Sequence, residues 1–198
     1  DEGHCDEPTP GAYVALPAAE FPSVGGKDVV ALKHTGDHES YTPAHWIEVA
    51  RSVMGSIDVD PASNEMAQET VKANTYYTAY DDGLTKDWAG NVFLNPPYEH
   101  PLIEQFIDKL IEEYTSGDVK QAVLLTNNSA DTKWFHAAAK ASSAFCLTRG
   151  RINFMKRDGT TSSPTNGQCL FYFGDNRDEF VNFCKLHKDG PHLLVMVL

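Results

Sequence analysis

The residues with the clearest chemical potential form the segment Asn95-Pro96-Pro97-Tyr98. The two prolines fix φ and lack N–H donors, so the segment is stiff and its carbonyl groups point outward. Asn95 adds a side-chain oxygen that accepts hydrogen bonds, and Tyr98 adds a flat aromatic face. The alternative interpretation is a proline-rich turn between a strand and a helix, with the asparagine as a helix cap.

This set of groups suits an exocyclic amino group on a planar base. The lone pair of such a nitrogen is delocalised into the ring, so the nitrogen is a poor nucleophile. The Asn95 side-chain oxygen and the Pro96 carbonyl could bind its two hydrogens and free the lone pair for attack on a methyl sulfonium. Tyr98 could stack on the extruded base, an interaction worth roughly 1–3 kcal/mol. By itself the segment predicts only methyl transfer to a planar amino nitrogen.

The elements that would position this segment alternate between strands and helices. Residues 91–94 predict a strand that runs directly into it, and apolar residues recur at helical spacing from Leu102 to Tyr114. Thr42 and Pro43 are typical of a helix N-cap and first residue, and Gly55 would end that helix. Further strands are expected at 56–59, 121–126, 144–148, 168–173 and 192–198, and further helices at 62–73, 133–142 and 177–187. This alternation indicates an α/β fold with helices on both faces of one sheet.

Two earlier segments could bind a cofactor at the carboxyl ends of the strands, where ligands bind in open α/β sheets. One places acids at and after the end of a short strand, within reach of ribose hydroxyls or an ammonium group. The other offers an acceptor for an adenine amino group and an apolar wall beside the ring. The first consists of Asp58, Asp60, Pro61 and Ala62, and the second of Asp82, Gly83 and Leu84. Each alone is also a common helix start or turn.

Several other classes of site lack their sequence patterns. The sequence contains no glycine-rich dinucleotide loop after its first strand and no phosphate-binding loop. Its four cysteines lie far apart without histidines at zinc-ligand spacing, so no metal site is expected. Cys146, Cys169 and Cys184 lie in apolar segments, which indicates reduced, buried thiols in a cytoplasmic protein. No apolar run approaches a membrane span and no signal-peptide pattern is visible.

The charge of the chain bears on a nucleic-acid partner. The formal net charge of −12 over 198 residues disfavours DNA binding, and residues 1–40 hold eight of the acids against two lysines. We expect 1–40 to be an acidic, loop-like extension and 41–198 to form one domain. One local cluster of cations is a candidate DNA contact, although such a segment is also typical of a solvated hairpin connection. It consists of Arg149, Arg151, Lys156 and Arg157, against the single acid Asp158.

Taken in order, these segments resemble the phage-type DNA N-6-adenine methyltransferases over residues 41–175. The matching segments are Tyr41-Thr42-Pro43 with Trp46, IDVDPAS (57–63), YYT (76–78), DDGL (81–84), Trp88, VFLNPPY (92–98), LLTNNS (124–129), Trp134-Phe135, RGRINF (149–154) and GQCLFYFG (167–174). The resemblance implies a class I methyltransferase fold, S-adenosylmethionine as methyl donor and a flipped adenine in DNA as acceptor. It also implies the cytoplasm of a bacterium or a phage-infected cell.

The resemblance further implies roles for individual residues. Tyr41, Thr42, Pro43 and Trp46 would form an upstream cofactor motif, and Asn95 would touch both cofactor and target. The remaining cofactor contacts would be Asp58, Asp60, Pro61, Ala62, Asp82, Gly83 and Leu84. The resemblance implies that D-P-A-S replaces the glycine-rich cofactor loop usual in the class I methyltransferase fold, a departure that the phage-type group shares. An RNA base or a protein glutamine as acceptor, and a non-catalytic binding module, remain alternatives; the oligomeric state stays open.

Overall fold

The computed structural model describes residues 40–162 and 164–186, together with three short strands outside them. The elements in chain order are β1 (Tyr13–Ala15), β2 (Leu32–His34), α1 (Ala44–Met54), β3 (Val59–Asp60), α2 (Glu65–Val71), β4 (Thr75–Tyr76), β5 (Gly90–Leu94), α3 (Leu102–Ser116), β6 (Val119–Asn127), α4 (Lys133–Ala141), β7 (Ala144–Leu147), β8 (Phe154–Met155), β9 (Thr161–Ser162), β10 (Gln168–Phe173), α5 (Arg177–Leu186) and β11 (Leu193–Met196). A 3-10 turn occupies Gly83–Thr85 between β4 and β5.

Seven of these strands form one mixed sheet in the order β11-β7-β10-β6-β5-β3-β4. Strands β4, β3, β5 and β6 are parallel neighbours, so their carboxyl ends share one edge of the sheet. Strand β10 is antiparallel to β6 on one side and to β7 on the other. The chain passes from β3 through α2 to β4 and then returns to β5 on the opposite side of β3. Such a reversal opens a crevice at the carboxyl ends of the two central strands, here β3 and β5.

Both faces of the sheet are covered by helices, as the sequence predicted. Successive strand residues point to opposite faces, so Phe93 packs with α1 and α5 whereas Val92 and Leu94 pack with α3 and α4. The same alternation holds in β10, where Leu170 and Phe171 enter opposite clusters. A sheet buried on both faces needs nearly continuous apolar strands. This requirement explains why the β5, β6 and β10 sequences are so apolar.

The beginning of α1 differs from the sequence prediction. Thr42 is not its N-cap: Pro43 occupies the cap position, no side chain caps the helix, and the helix begins at Ala44. The Thr42 hydroxyl has a different partner, which is described below. The predicted end is confirmed, because Gly55 adopts a φ of +85° and donates its N–H to the carbonyl of Arg51 at 2.7 Å.

Several short elements had no counterpart in the prediction. β4 adds a parallel edge strand beside β3, and β8 and β9 form an antiparallel hairpin. Within 1–40, β1 and β2 pair with each other, and the rest of the predicted extension up to residue 39 lies outside the described residues, as does Cys5. The other three cysteines are free and buried, as expected. Among the described residues, no helix is both long enough and apolar enough to span a membrane.

Candidate active site

The segment Asn95-Pro96-Pro97-Tyr98 follows β5 at the carboxyl edge of the sheet. Proline cannot donate to a strand ladder, so the two prolines end β5 directly after its buried last residue, Leu94. Both prolines are buried, whereas Asn95 and Tyr98 are half-buried. The edge therefore carries a rigid loop in which the residues Asn95 and Tyr98 are partly open to solvent.

A chain of two hydrogen bonds fixes the Asn95 amide. The Tyr98 hydroxyl donates to Asn95 Oδ1 at 3.2 Å, and Asn95 Nδ2 donates to the Thr42 Oγ1 at 3.3 Å. Burial raises the pKa of Tyr98 above its ordinary value, so the phenol stays protonated and remains a donor. Because an amide oxygen has two lone pairs, Oδ1 can accept a second hydrogen bond. The hydroxyl of the buried residue Thr42 thus accepts a hydrogen bond from Asn95 and does not cap α1.

The segment after β3 centres on a buried carboxyl. Burial raises the pKa of Asp60 to about 6, against hydrogen bonds from Ser63, Ala62 and Gln68 that lower it. The amide of Gln68 donates at 2.8 Å both to Asp60 Oδ2 and to the Ser63 hydroxyl. A buried carboxylate at this edge is able to accept hydrogen bonds from hydroxyl or ammonium groups of a ligand.

The turn at Gly83 packs directly against the segment after β3. Gly83 is buried, and a Cβ at this position would collide with the carbonyl oxygen of Pro61. The indole N–H of Trp88 donates to the Gly83 carbonyl at 2.8 Å and holds the turn in place. Asp82 is exposed, and Leu84 is half-buried against the apolar cluster on the α3 face. Pro61, Gly83 and their neighbours therefore form one continuous wall.

Two of the predicted cofactor residues lie elsewhere. The Asp58 carboxylate accepts from Ser56, from the side chain of Asn74 and from the backbone N–H of Asn91 at 2.9 Å. Asn91 lies near the start of β5, and four residue-to-residue steps along the strand separate it from Asn95 by about 13 Å. Asp58 thus ties three strands together at their amino ends. Trp46 is 4% exposed and packs in the core beneath α1.

The predicted cations lie on and before the β8–β9 hairpin. All four of these side chains are exposed: Arg149, Arg151, Lys156 and Arg157. The backbones of Tyr41 and Met155 exchange two hydrogen bonds, of 2.7 and 2.9 Å, which attach the hairpin to the start of the domain. Because Thr42 follows Tyr41 and contacts Asn95, the cationic hairpin adjoins the active-site edge.

The sequence assigned no role to two supporting residues: Gln68 was not singled out, and Trp88 was quoted only as part of the resemblance. Gln68 binds the Asp60 carboxylate from α2, and Trp88 holds Gly83 from the loop before β5. Helical spacing after the Asn64 cap locates Gln68 on α2, but only the packing of α2 on the sheet shows what it binds. Across residues 40–162 and 164–186, no group of three or more His, Cys, Asp or Glu side chains is arranged to hold a metal ion.

Comparison with known proteins bears on this geometry. The sequence model of the DNA N-6-adenine-methyltransferase (Dam) family matches residues 31–189, a span that contains every segment of the candidate active site. No curated protein matches the chain.

Proposed function

We propose that the segment Asn95-Pro96-Pro97-Tyr98 binds the target base. The chain belongs to the DNA N-6-adenine-methyltransferase (Dam) family, and it methylates adenine in DNA at N6. The fold is the α/β class I methyltransferase sheet that the resemblance implied. The observation that carries the proposal is the hydrogen-bonded row Thr42–Asn95–Tyr98 beside the crevice between β3 and β5.

In this proposal the chain activates a weakly nucleophilic amino group by hydrogen bonding alone. Asn95 Oδ1 and the Pro96 carbonyl accept the two hydrogens of the adenine amino group, which draws electron density out of the ring and onto nitrogen. Thr42 and Tyr98 keep the amide from rotating, so no reorganisation is needed during the reaction. Neither acceptor is a strong base, so the surplus proton leaves after methyl transfer.

The methyl donor in this proposal is S-adenosylmethionine, which supplies an electrophilic methyl group on a sulfonium when bound. The residues along the wall after β3 fit its chemistry. Asp60 can accept from hydroxyl or ammonium groups, Asp82 can accept from an adenine amino group, and the half-buried Ala62 and Leu84 offer apolar contact. We assign Asp58 and Trp46 to the framework instead, because their side chains bind strand ends and core.

We further propose that the target adenine is flipped out of the duplex and stacks on Tyr98. An exocyclic amino group inside a base pair is inaccessible to a loop at a sheet edge, so extrusion is required. The exposed cations Arg149, Arg151, Lys156 and Arg157 would hold the flanking phosphates. The buried free thiols fit a reducing compartment, and we propose the cytoplasm as the site of action.

The test is methyl transfer from labelled S-adenosylmethionine to duplex DNA, followed by nucleoside mass analysis. We expect N6-methyladenine with the native chain and a loss of roughly 10²-fold or more in kcat for Asn95→Ala, comparable to removing a preorganised hydrogen-bonding group. Asn95→Asp is the matched variant, because a carboxylate retains the acceptor, and it should keep part of the activity.

Three other outcomes would each contradict one part of the proposed function. Label on RNA or protein only would overturn the DNA assignment, and N4-methylcytosine would overturn the choice of base. Unchanged activity of Asn95→Ala would overturn the catalytic assignment.

A further inference from the structure

The segment before the β8–β9 hairpin alternates between buried and exposed residues. Ile152 and Phe154 are 3% and 6% exposed, whereas the three residues that alternate with them all face solvent. We name these three the exposed ridge: Arg151, Asn153 and Met155. A cation, an amide and an apolar side chain thus project in a row from one side of the segment.

The exposed ridge is firmly anchored. The N–H of Ile152 donates to the buried Gln168 side chain at 2.7 Å, and Phe154 packs into the core below the sheet. At its far end, Met155 is paired with Tyr41 through both backbone hydrogen bonds. A side chain held on such a support can be driven into another molecule without the backbone giving way.

Met155 places an apolar side chain on the solvent-facing surface. Of the large apolar side chains that the structure describes, only Met155, at 43%, and Tyr80 are exposed. Met155 is followed directly by Lys156 and Arg157 at the turn of the hairpin. An apolar tip flanked by cations fits a polyanion whose interior is apolar, which describes duplex DNA with its stacked bases.

The exposed ridge also has a short connection to the target-binding loop. From Met155 the path crosses the backbone pair with Tyr41, one peptide bond to Thr42, and the side-chain hydrogen bond to Asn95. A hydrogen-bonded antiparallel pair places the two Cα atoms about 5.5 Å apart. The hairpin therefore lies beside the loop that the proposed function assigns to the target adenine.

From this geometry we propose that Met155 is a wedge that enters the base stack and occupies the space vacated by the target adenine. This inference rests on the proposed extrusion of the adenine. The unbranched, flexible methionine side chain can fit between base pairs, where it would cover the faces of the neighbouring bases that the extruded adenine leaves bare. Arg151 and Asn153 would lie along the adjoining backbone and base edges, where they fix the depth of entry.

The experiment compares two DNA substrates of one sequence that the native chain methylates. The first is a fully paired duplex, and the second is a duplex in which the target adenine and its neighbours lie in an unpaired bubble. Met155→Ala should lower kcat/KM on the paired duplex by roughly tenfold, because no side chain then offsets the cost of opening the base stack. On the bubble, where the stack is already open, it should stay within about twofold of the native chain.

Met155→Leu is the matched variant, since it keeps an apolar side chain of similar volume, and it should retain most activity on both substrates. Unchanged activity of Met155→Ala on the paired duplex would overturn the wedge, and so would an equal loss on both substrates. Methylation of the bubble but not of the paired duplex by the native chain would overturn it too. No methylation of either substrate by the native chain would instead refute the proposed function.

Discussion

Replacing Asp60 by asparagine should stabilise the protein at neutral and alkaline pH, and the gain should vanish in acid. Burial raises the pKa of this carboxyl from 3.8 to about 6, despite hydrogen bonds from Ser63, Ala62 and Gln68. Because the folded pKa is raised, the charge costs nothing below pH 3.8 and progressively more as pH rises toward 6. At about 1.4 kcal/mol per pKa unit, the full cost is about 3 kcal/mol. Asp60→Asn removes the charge; with its amide oxygen toward Gln68 it keeps the 2.8 Å hydrogen bond and loses only the longer one, at 3.4 Å from the N–H of Ala62, at every pH.

Urea denaturation of the ligand-free protein, followed by tryptophan fluorescence, measures this effect. The gain in unfolding free energy should be below about 1 kcal/mol at pH 4 and about 3 kcal/mol at pH 8. Asp81→Asn is a control of opposite sign, because hydrogen bonds from Thr78 lower the pKa of that exposed carboxyl, and it should not stabilise at pH 8. A gain from Asp60→Asn that is equal at pH 4 and pH 8, or absent at pH 8, would refute the reasoning.

Three further variants test the cofactor wall, the orientation of Asn95 and the cationic hairpin. Gly83→Ala should weaken S-adenosylmethionine binding and cost about 1–3 kcal/mol of stability, because the added methyl collides with the Pro61 carbonyl; calorimetric titration and thermal unfolding measure both. Thr42→Val should lower kcat by roughly tenfold in steady-state kinetics, since one orienting hydrogen bond is removed. Joint replacement of Lys156 and Arg157 by alanine should reduce the salt dependence of DNA binding, measured by anisotropy as the slope of log K against log salt, by about 2.

Each of these has an outcome that contradicts it. Cofactor affinity unchanged by Gly83→Ala would mean that the two segments do not share a ligand. A raised cofactor KM at constant kcat in Thr42→Val would assign that hydroxyl to cofactor binding, and Thr42→Ser should behave like the native chain. Lys120→Ala is the control for the cations, because Lys120 lies near the start of β6 and binds the Gly117 carbonyl; an equal change in slope there would contradict the assignment.

Sequence patterns sufficed where a residue's neighbours in the chain determine its structure. The apolar spacing after Leu102 predicted α3, and the apolar run before Asn95 predicted β5 and the position of the loop at its carboxyl end. Two-residue strands such as β4 and β8 have no room for any periodicity, and they form because a neighbouring strand is already present.

Such patterns could not predict contacts between residues that are far apart in the sequence. The Thr42–Asn95 hydrogen bond joins residues 53 positions apart, and the bond from the Asn91 backbone to Asp58 joins residues 33 apart. In both cases the sequence predicted a polar role but not the partner. Thr42 was predicted to cap α1, which is wrong, and Asp58 was predicted to bind the cofactor, whereas its carboxylate accepts from the N–H of Asn91. The order β4-β3-β5 decides which side chains meet, and nothing local in the chain encodes that order.

The acidity of the chain and its DNA substrate are compatible because charges act over short distances in salt water. At physiological ionic strength the screening length is about 8 Å, so a phosphate responds to the side chains that it approaches and hardly to the net charge of −12. Between residues 149 and 158 the chain presents four cations against one acid, Asp158, on and before the hairpin that adjoins Thr42 and Asn95. The four phosphate contacts that we propose for these side chains would give a salt slope of about −3.6. Acidic surfaces elsewhere repel DNA, which favours the encounters in which the hairpin arrives first.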